Sequence, residues 1–456
     1  MAFKTFDRKL YAALESAEGT SIAPSDLTSA YIETTEPTFT ITNRMFERNP
    51  TRMSITQVPQ TVPGTANTAG APSATIEFTF GVELVGTGDI TTAPRWGRLL
   101  QSCGFTGGTV HSATTDAITN DGTDQPNCLL HRERFSSGTG VNFNDAEDKG
   151  RVISDTFENE TLYFSKGAGG GTGNIADDEK ICGEVTDGTP YLTASSASAA
   201  GASGYAFSPS SGAVLGGGNT SSLTIRLVTG SSGEYVEGVG CRGSVEFAMV
   251  AGDRVLMNFT FSGRLNAYLT AADGDMDNPV ADTLGIPPAF NGVSLGIQMS
   301  NFATTSPAPT VTSTIFNSMN INIANEVTVR ESVSAASGYD VAYISGRSPS
   351  MTFNPDAVTE ATYGFWDRFL SGEITRAALT IGSTAGNQFY IKMPALQFTG
   401  ISDGNRDEVM VYDSTTTLTG GDYGSSILEP PASATTLSTQ VNPRLGTNNE
   451  FVLFAL

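Results

Sequence analysis

The only two tryptophans of this chain sit in one short pattern used twice, Trp96-Gly97-Arg98-Leu99-Leu100 and Trp366-Asp367-Arg368-Phe369-Leu370. Each follows a β-like run that contains Thr-Phe (Thr79-Phe80 and Thr352-Phe353), and each precedes strand–hairpin–strand patterns. One structural unit used twice constrains the fold more than composition does, because missing an internal repeat misassigns everything built on it. The length, 456 residues, fits: at about 150 residues per domain it holds roughly two or three domains.

Period-two alternation marks the strands. In the first copy Phe39 and Ile41 alternate with Thr38, Thr40 and Thr42. Ile76, Phe78, Phe80, Val82 and Leu84 alternate with Glu77, Thr79, Gly81 and Glu83, the signature of a half-buried strand. Residues 58–73, rich in Pro, Gly, Thr and Ala, read as a long hairpin loop. Pro94 is placed to open a helix with Trp96, Leu99 and Leu100 on one face and Gly104 at its end. Leu223, Ile225 and Leu227, a Gly-Ser turn at 230–233, Val245 and Phe247, a turn at Ala251-Gly252-Asp253 and the run 256–261 complete a meander.

The second copy repeats this order. Strands are expected at 321–329, 339–344 and 351–353, and a helix at 356–370 after Pro355. A closing meander is expected at 379–381, 389–393, 396–398 and 409–412, with Asp403-Gly404-Asn405 as its hairpin signal. A short helix is expected at 10–17. The expected organisation is an N-terminal arm (1–30), a first β domain (31–270) with a Gly/Ser/Thr-rich insertion at about 105–220, a linker (271–290), a second β domain (291–420) and a C-terminal arm (421–456). That arm ends in apolar Phe451-Val452-Leu453-Phe454-Ala455-Leu456. Fifty glycines with abundant Ser and Thr suit short strands and many turns, so the fold class is mainly β.

Charge narrows the function. The chain carries 47 acidic and 25 basic residues, net −22, with lysine only at Lys4, Lys9, Lys149, Lys166, Lys180 and Lys392. Binding nucleic acid by counterion release needs clustered Lys and Arg. An acidic surface serves solubility, or repels DNA from a wall it passes. Cys103, Cys128, Cys182 and Cys241 show no CxxC spacing, so free thiols in a reducing compartment are expected. Residues 1–11 lack an apolar stretch before a small-residue cleavage site, so no signal peptide is expected. No run approaches the roughly 18 apolar residues of a membrane span.

Motifs with chemistry in them are fragments. Gly400-Ile401-Ser402-Asp403-Gly404 matches G-x-S-x-G, but a nucleophile elbow needs a strand-to-helix turn and a later histidine, and His111 and His131 both lie upstream. A hairpin loop is expected instead. Asp273-Gly274-Asp275-Met276-Asp277-Asn278 opens like a Ca²⁺ loop, yet Asn278 stands where Gly is needed and Leu284 where Glu is needed. Cys128 and His131 lack a second ligand pair. Residues 167–173 lack the Gly-Lys-Ser/Thr of a phosphate loop. No catalytic, cofactor or metal residue is assigned, and no cofactor is expected. Trp96, Arg98, Leu100, Trp366, Arg368 and Leu370 are assigned as helix and packing anchors of the two copies.

Residues 235–263, with Gly240-Cys241-Arg242-Gly243-Ser244-Val245 and Phe259-Thr260-Phe261-Ser262-Gly263, resemble the closing hairpin of tail tube proteins of long-tailed bacteriophages. Thr92-Ala93-Pro94-Arg95-Trp96-Gly97-Arg98-Leu99-Leu100-Gln101-Ser102-Cys103-Gly104-Phe105 resembles the helix region of that family. The second copy is similar in Ile344-Ser345-Gly346-Arg347-Ser348-Pro349, the Trp366 helix and residues 387–399. The resemblance covers more than half of the chain and leaves out 105–203 and both termini. It rests on packing patterns rather than catalytic signatures. It implies two tandem β-sandwich or barrel-like tube domains, each with one flanking helix, in a structural virion protein. Such a protein is not an enzyme. It polymerises with itself into stacked rings, assembles in the host cytoplasm and resides in the virion tail. Implied partners are the tail terminator, tail tip and tape measure proteins, with double-stranded DNA passing through the lumen without tight binding and no membrane contact. Single-domain members usually form six-membered rings, so a duplicated chain is expected to form a ring of three. The main rival is another repeat-built virion or surface component, such as a capsid decoration, fibre or S-layer-like protein. A polysaccharide depolymerase ranks third, since the chain lacks a long regular β-solenoid repeat.

Overall fold

Alternation of Thr or Glu with apolar residues coincides with strands at Thr35–Asn43 and Ala74–Glu83. The computed structural model describes residues 8–43, 74–90, 92–114, 135–137, 148–155, 161–166, 180–183, 192–193, 204–209, 221–229, 234–271, 285–291, 295–299, 310–313, 315–335, 337–360, 363–372, 374–419 and 450–456. The chain begins with β1 (Arg8–Leu14), a one-turn helix α1 (Pro24–Leu27), a 3-10 turn (Thr28–Ala30), β2 (Tyr31–Ile32), β3 (Thr35–Asn43), β4 (Ala74–Glu83) and α2 (Gly97–Ser102). Then come β5 (Phe105–Thr114), β6 (Phe135–Ser137), β7 (Asp148–Asp155), β8 (Thr161–Lys166), β9 (Lys180–Gly183), β10 (Leu192–Thr193), β11 (Gly204–Pro209), β12 (Leu223–Thr229), β13 (Glu234–Val250) and β14 (Leu256–Ala271). The remainder is β15 (Leu295–Met299), β16 (Thr310–Ser313), β17 (Phe316–Asn322), β18 (Asn325–Glu331), β19 (Tyr339–Arg347), β20 (Ser350–Pro355), α3 (Phe365–Ser371), β21 (Ile374–Ile381), β22 (Phe389–Arg406), β23 (Val409–Leu418) and β24 (Val452–Ala455). The protein is mainly β, and its strand pairs are antiparallel.

Two sets of strands pair in the same order. One runs β2–β1–β12–β13–β14–β4–β3. The other runs β16–β15–β21–β22–β23–β20–β17. Both place a short helix after the fourth strand in chain order. They differ in what lies between their strands: β18 and β19 form their own two-stranded ladder between β17 and β20, and β5–β11 lie between α2 and β12. Among these strands the order is β11–β5–β8–β7–β6–β9–β10. β24 lies between β11 and β22 and joins β5–β11 to the second set. The apolar C-terminal end is therefore an internal strand with Phe451, Val452, Leu453 and Phe454 buried.

Cross-strand rows show why these residues fold this way. Val82, Met257, Phe247, Ile321, Met351, Thr416 and Phe398 pair one to the next across seven strands. All seven are buried. Thr416, the one polar member, donates its hydroxyl to the Met351 carbonyl at 3.1 Å, which removes the cost of burying an unpaired oxygen. The neighbouring row is polar, so the two faces of the sheet have opposite character, as period two requires.

Several expected elements fall elsewhere. Residues 10–17 are not helical: Leu10, Tyr11 and Ala12 are fully buried in β1, which pairs with β12 along its length. The local pattern was ambiguous, and the open edge of β12 decided it. The run 321–329 is broken by Ala324 at φ 49, which separates β17 from β18. Pro355 and Asp356 close β20 rather than opening a helix, and α3 is limited to Phe365–Ser371, ending on the left-handed Gly372 (φ 67). Asp403-Gly404-Asn405 lies inside β22, and the turn is Asp407-Glu408, both at positive φ (49 and 69) as a type I′ hairpin needs. The expected loop 58–73, the turn 230–233, and residues 128–131, 167–173 and 273–278 lie outside the described residues.

The two tryptophans are not equivalent in the core. Trp96 is buried, donates its ring N–H to the Val85 carbonyl at 2.8 Å and packs on Phe207 and Phe389. In α3 the buried residue is Phe365, surrounded by Tyr363, Phe353, Phe398 and Tyr412, while Trp366 is half-buried against Phe369 and Tyr412. Leu370, assigned as an anchor, is 77% exposed. It lies in the last turn of α3, beyond the rings that cover Trp366. Phe365→Ala is expected to destabilise the fold by about 3–5 kcal/mol, and Leu370→Ala by no more than about 0.5 kcal/mol. Urea unfolding of the two variants checks the difference.

Candidate functional site

β13 is the longest strand of the first set and changes partner along one edge. Its first half pairs with β12 (Val228↔Tyr235 to Leu223↔Cys241) and its last five residues pair with β17 (Glu246↔Asn322 to Val250↔Ser318). The second half of the edge thus joins the two sets. The junction extends beyond the strands: the Ile323 N–H donates to the Val245 carbonyl and the Ala251 N–H to the Asn317 carbonyl. One row then crosses eight strands, Thr35–Gly81–Asn258–Glu246–Asn322–Ser350–Thr417–Gln397. The sheet runs β3–β4–β14–β13–β17–β20–β23–β22.

Its two ends are open. β3 pairs with β4 on one edge, and among the described residues no strand takes the other. β22 pairs with β21 only as far as Gln397, so residues 399–406 have an edge opposite β23 without a partner among the described residues. The two open edges stand where the two closed ones stand at the junction. β22 relates to β21 and β23 as β13 relates to β12 and β14, and β3 relates to β4 as β17 relates to β20. Even small details repeat. The Leu84 N–H donates to the Val255 carbonyl at 2.9 Å, and the Ala357 N–H to the Met410 carbonyl at 2.9 Å. β3 and β17 each carry a register shift near the same end. Pro37 sits on the open edge of β3, where an edge strand tolerates proline, and its carbonyl accepts from the Arg8 guanidinium at 2.7 Å.

The polar face of this sheet is lined by Thr38–Thr79–Thr260–Ser244 and Ala248–Asn320–Thr352–Thr415, besides the row from Thr35 to Gln397. None of these residues is Lys or Arg. Glu77 and Asp413 are exposed beside them, and Glu246 accepts from the Asn320 amide. Glu83, the other acid expected on this face, is paired with Arg254.

Of the remaining assigned anchors, Arg98 and Leu100 hold α2 to β1 and the core, and Arg368 packs within its own segment. Arg98 donates to the Ala12 carbonyl at 3.2 Å, Leu100 is fully buried, and the Arg368 guanidinium lies 4.9 Å from the Tyr363 ring centre. Sequence reasoning picked these helix residues and missed the strand edges. Their only sequence signal was the Thr alternation ending in Pro37. Ser402 of the G-x-S-x-G match lies on β22, paired with Asp413, rather than on a strand-to-helix turn. Among the described residues no group of three His, Cys, Asp or Glu side chains comes together to hold a metal, and no helix is long and apolar enough to cross a membrane. No protein-family model matches the chain, and no curated protein matches its sequence.

Burial pushes the thiols of Cys103 and Cys241 well above the ordinary range, and for Cys241 the carboxylates of Glu15 and Glu237 add to it. Both thiols are free and buried. A raised folded-state pKa favours the native state fully below the unfolded value of about 8.5, and this contribution is lost as pH rises from there through the folded value. Stability is therefore expected to fall above about pH 8.5. A maleimide should label neither Cys103 nor Cys241 before unfolding; mass mapping of the labelled native protein checks this, and rapid labelling of either would contradict their burial.

Proposed function

We propose that this chain is a tail tube protein of a long-tailed bacteriophage, built from two copies of one β unit. It polymerises head to tail by repeating between molecules the junction it already contains. The observation that carries the reading is the β13–β17 ladder together with the two open edges that match it. Outward-facing N–H and C=O groups of Phe39 and Ile41 on β3 pair with those of Ile401 and Asp403 on β22 of the next copy. This satisfies backbone groups that a free edge leaves to water and to wrong partners. Such a contact is heterologous, so it makes a ring if the rotation closes and a filament if it does not. With two units per chain, three chains give six pseudo-equivalent positions, and rings stack into a conduit for DNA.

The polar face supports the same reading. Rows of Thr, Ser and Asn with Glu77, Glu246 and Asp413, without Lys and with Arg242, Arg254 and Arg406 neutralised by Glu18, Glu83 and Asp356, suit a wall past which a duplex moves, because each free basic contact would add salt-dependent affinity at every ring. Insertion strands β6–β10 attach through β5 and β11, away from β3 and from residues 399–406 of β22, which suits a place on the tube exterior.

Negative-stain images of the purified protein test the proposal directly: rings with three full chains, or tubes, are expected, and a protein that stays monomeric at high concentration would sink it. Ile41→Pro removes one outward N–H and should leave the monomer folded by circular dichroism while abolishing rings. Thr38→Lys with Thr79→Lys should make assembled tubes retain duplex DNA at low salt and release it as salt rises, whereas parent tubes should retain none. Retention by the parent would refute the repelling wall.

A further inference from the structure

The tip of the β13–β14 hairpin is covered by its own chain. The Phe290 N–H donates to the Asp253 carbonyl at 2.7 Å, the Gly252 N–H to the Phe290 carbonyl at 3.3 Å, and Arg254 bridges Ala289. Phe290 is buried edge-on against Phe316, and Val255 is fully buried. The segment responsible, residues 285–291, leads into β15.

The tip of the β22–β23 hairpin has the same place in the second set and has no such cover among the described residues. The matching bonds Leu84 N–H to Val255 and Ala357 N–H to Met410 put Met410 where Val255 stands, and Val409 where Arg254 stands. Val409 is 48% and Met410 51% exposed. Apolar side chains exposed on both faces of a strand end, one of them at the position covered in the first set, call for a partner in the assembly.

The register says which segment would come. Ile297 pairs with Ala377 as Ala12 pairs with Ile225, so β15 corresponds to β1. The step from Ile297 back to Phe290, taken from Ala12, ends at Thr5, between Lys4 and Phe6. We propose that residues 1–7 of a neighbouring copy clasp the β22–β23 tip, laying Phe3 or Phe6 on Met410, which stands where the covered Val255 stands, and bringing Lys4 to the acidic turn Asp407-Glu408. Residues 1–7 lie outside the described residues, and they fit the tip in both apolar character and charge. The clasp rests on the head-to-tail reading above, and the same neighbour that lends β3 lends this segment.

The test places the photo-crosslinking residue p-benzoylphenylalanine at position 410 of the full-length chain and irradiates assembled protein. Interchain adducts mapping by mass spectrometry to the tryptic peptides of residues 1–8 are expected. Rings that form but crosslink elsewhere, or within one chain, overturn the clasp and leave the ring reading standing. Absence of any assembly overturns both. As a second measurement, Phe3→Ala with Phe6→Ala should raise the concentration needed for half-assembly about tenfold or more. The unfolding midpoint of the unassembled chain should not change; a lowered midpoint would mean that the segment packs on its own chain and would defeat the proposal.

Discussion

The backbone ladder of β13 is the constraint on which the rest depends. A strand of 17 residues has more N–H and C=O groups than one short neighbour can satisfy, and buried groups left unpaired are costly. β12 takes the first half and β17 the second. The changeover needs a bend, supplied where the register with β14 shifts between Val239 and Arg242. Gly240 sits there at φ 62, and a Cβ would come within 2.8 Å of Val341. A side chain at that position would meet both a strained backbone and the β18–β19 hairpin.

Around that bend the polar groups are closely accounted for. Glu15 accepts from the Gly240 and Gly19 N–H groups and from the hydroxyls of Ser222 and Thr224, which ties the segment after β1 to the bend. Arg226 and Glu237 form a buried ion pair, with Arg226 also donating to the Ile22 carbonyl at 3.1 Å and Asn266 donating to Glu237. A buried pair of this kind adds little net stability over apolar side chains of the same size, but loss of one partner costs about 3–5 kcal/mol. Its contribution here is registry. It holds Ser21 and Ile22 over one particular stretch of β12 and β13. Arg242 does the same on the other side, donating to the Ala342 carbonyl of β19 and to Glu18.

The ties between the two sets are of different kinds. β13–β17 is a ladder, whereas Asn325 donates to the carbonyls of Cys103 and Gly243 at 2.7 and 2.9 Å and brings the β18–β19 hairpin onto the end of α2 and onto β13. β24 adds a third tie by pairing on both sides. Trp96 packs on Phe389 of the second set, so the buried rings run without a break from one set into the other. One extended sheet with a single apolar side follows, and its open ends stand at opposite edges.

The sequence by itself determined the strands whose apolar residues alternate, from Ile76 to Leu84 and from Leu256 to Phe261, because period two reports burial of one face whatever the partner. It also determined the two short helices near Trp96 and Trp366 and the left-handed stop after the first. Tertiary structure alone decided the rest. Residues 8–14 are a strand because β12 offers an edge, not because their propensity demands it. Phe365 rather than Trp366 fills the second core because the helix begins only at Phe365, where the rings of Phe353, Tyr363, Phe398 and Tyr412 enclose its first residue. The open edges of β3 and β22 were illegible for a plainer reason: an unpaired edge is a property of backbone groups, and those are the same in every residue but proline. Only the pairing of all the other strands shows which groups remain.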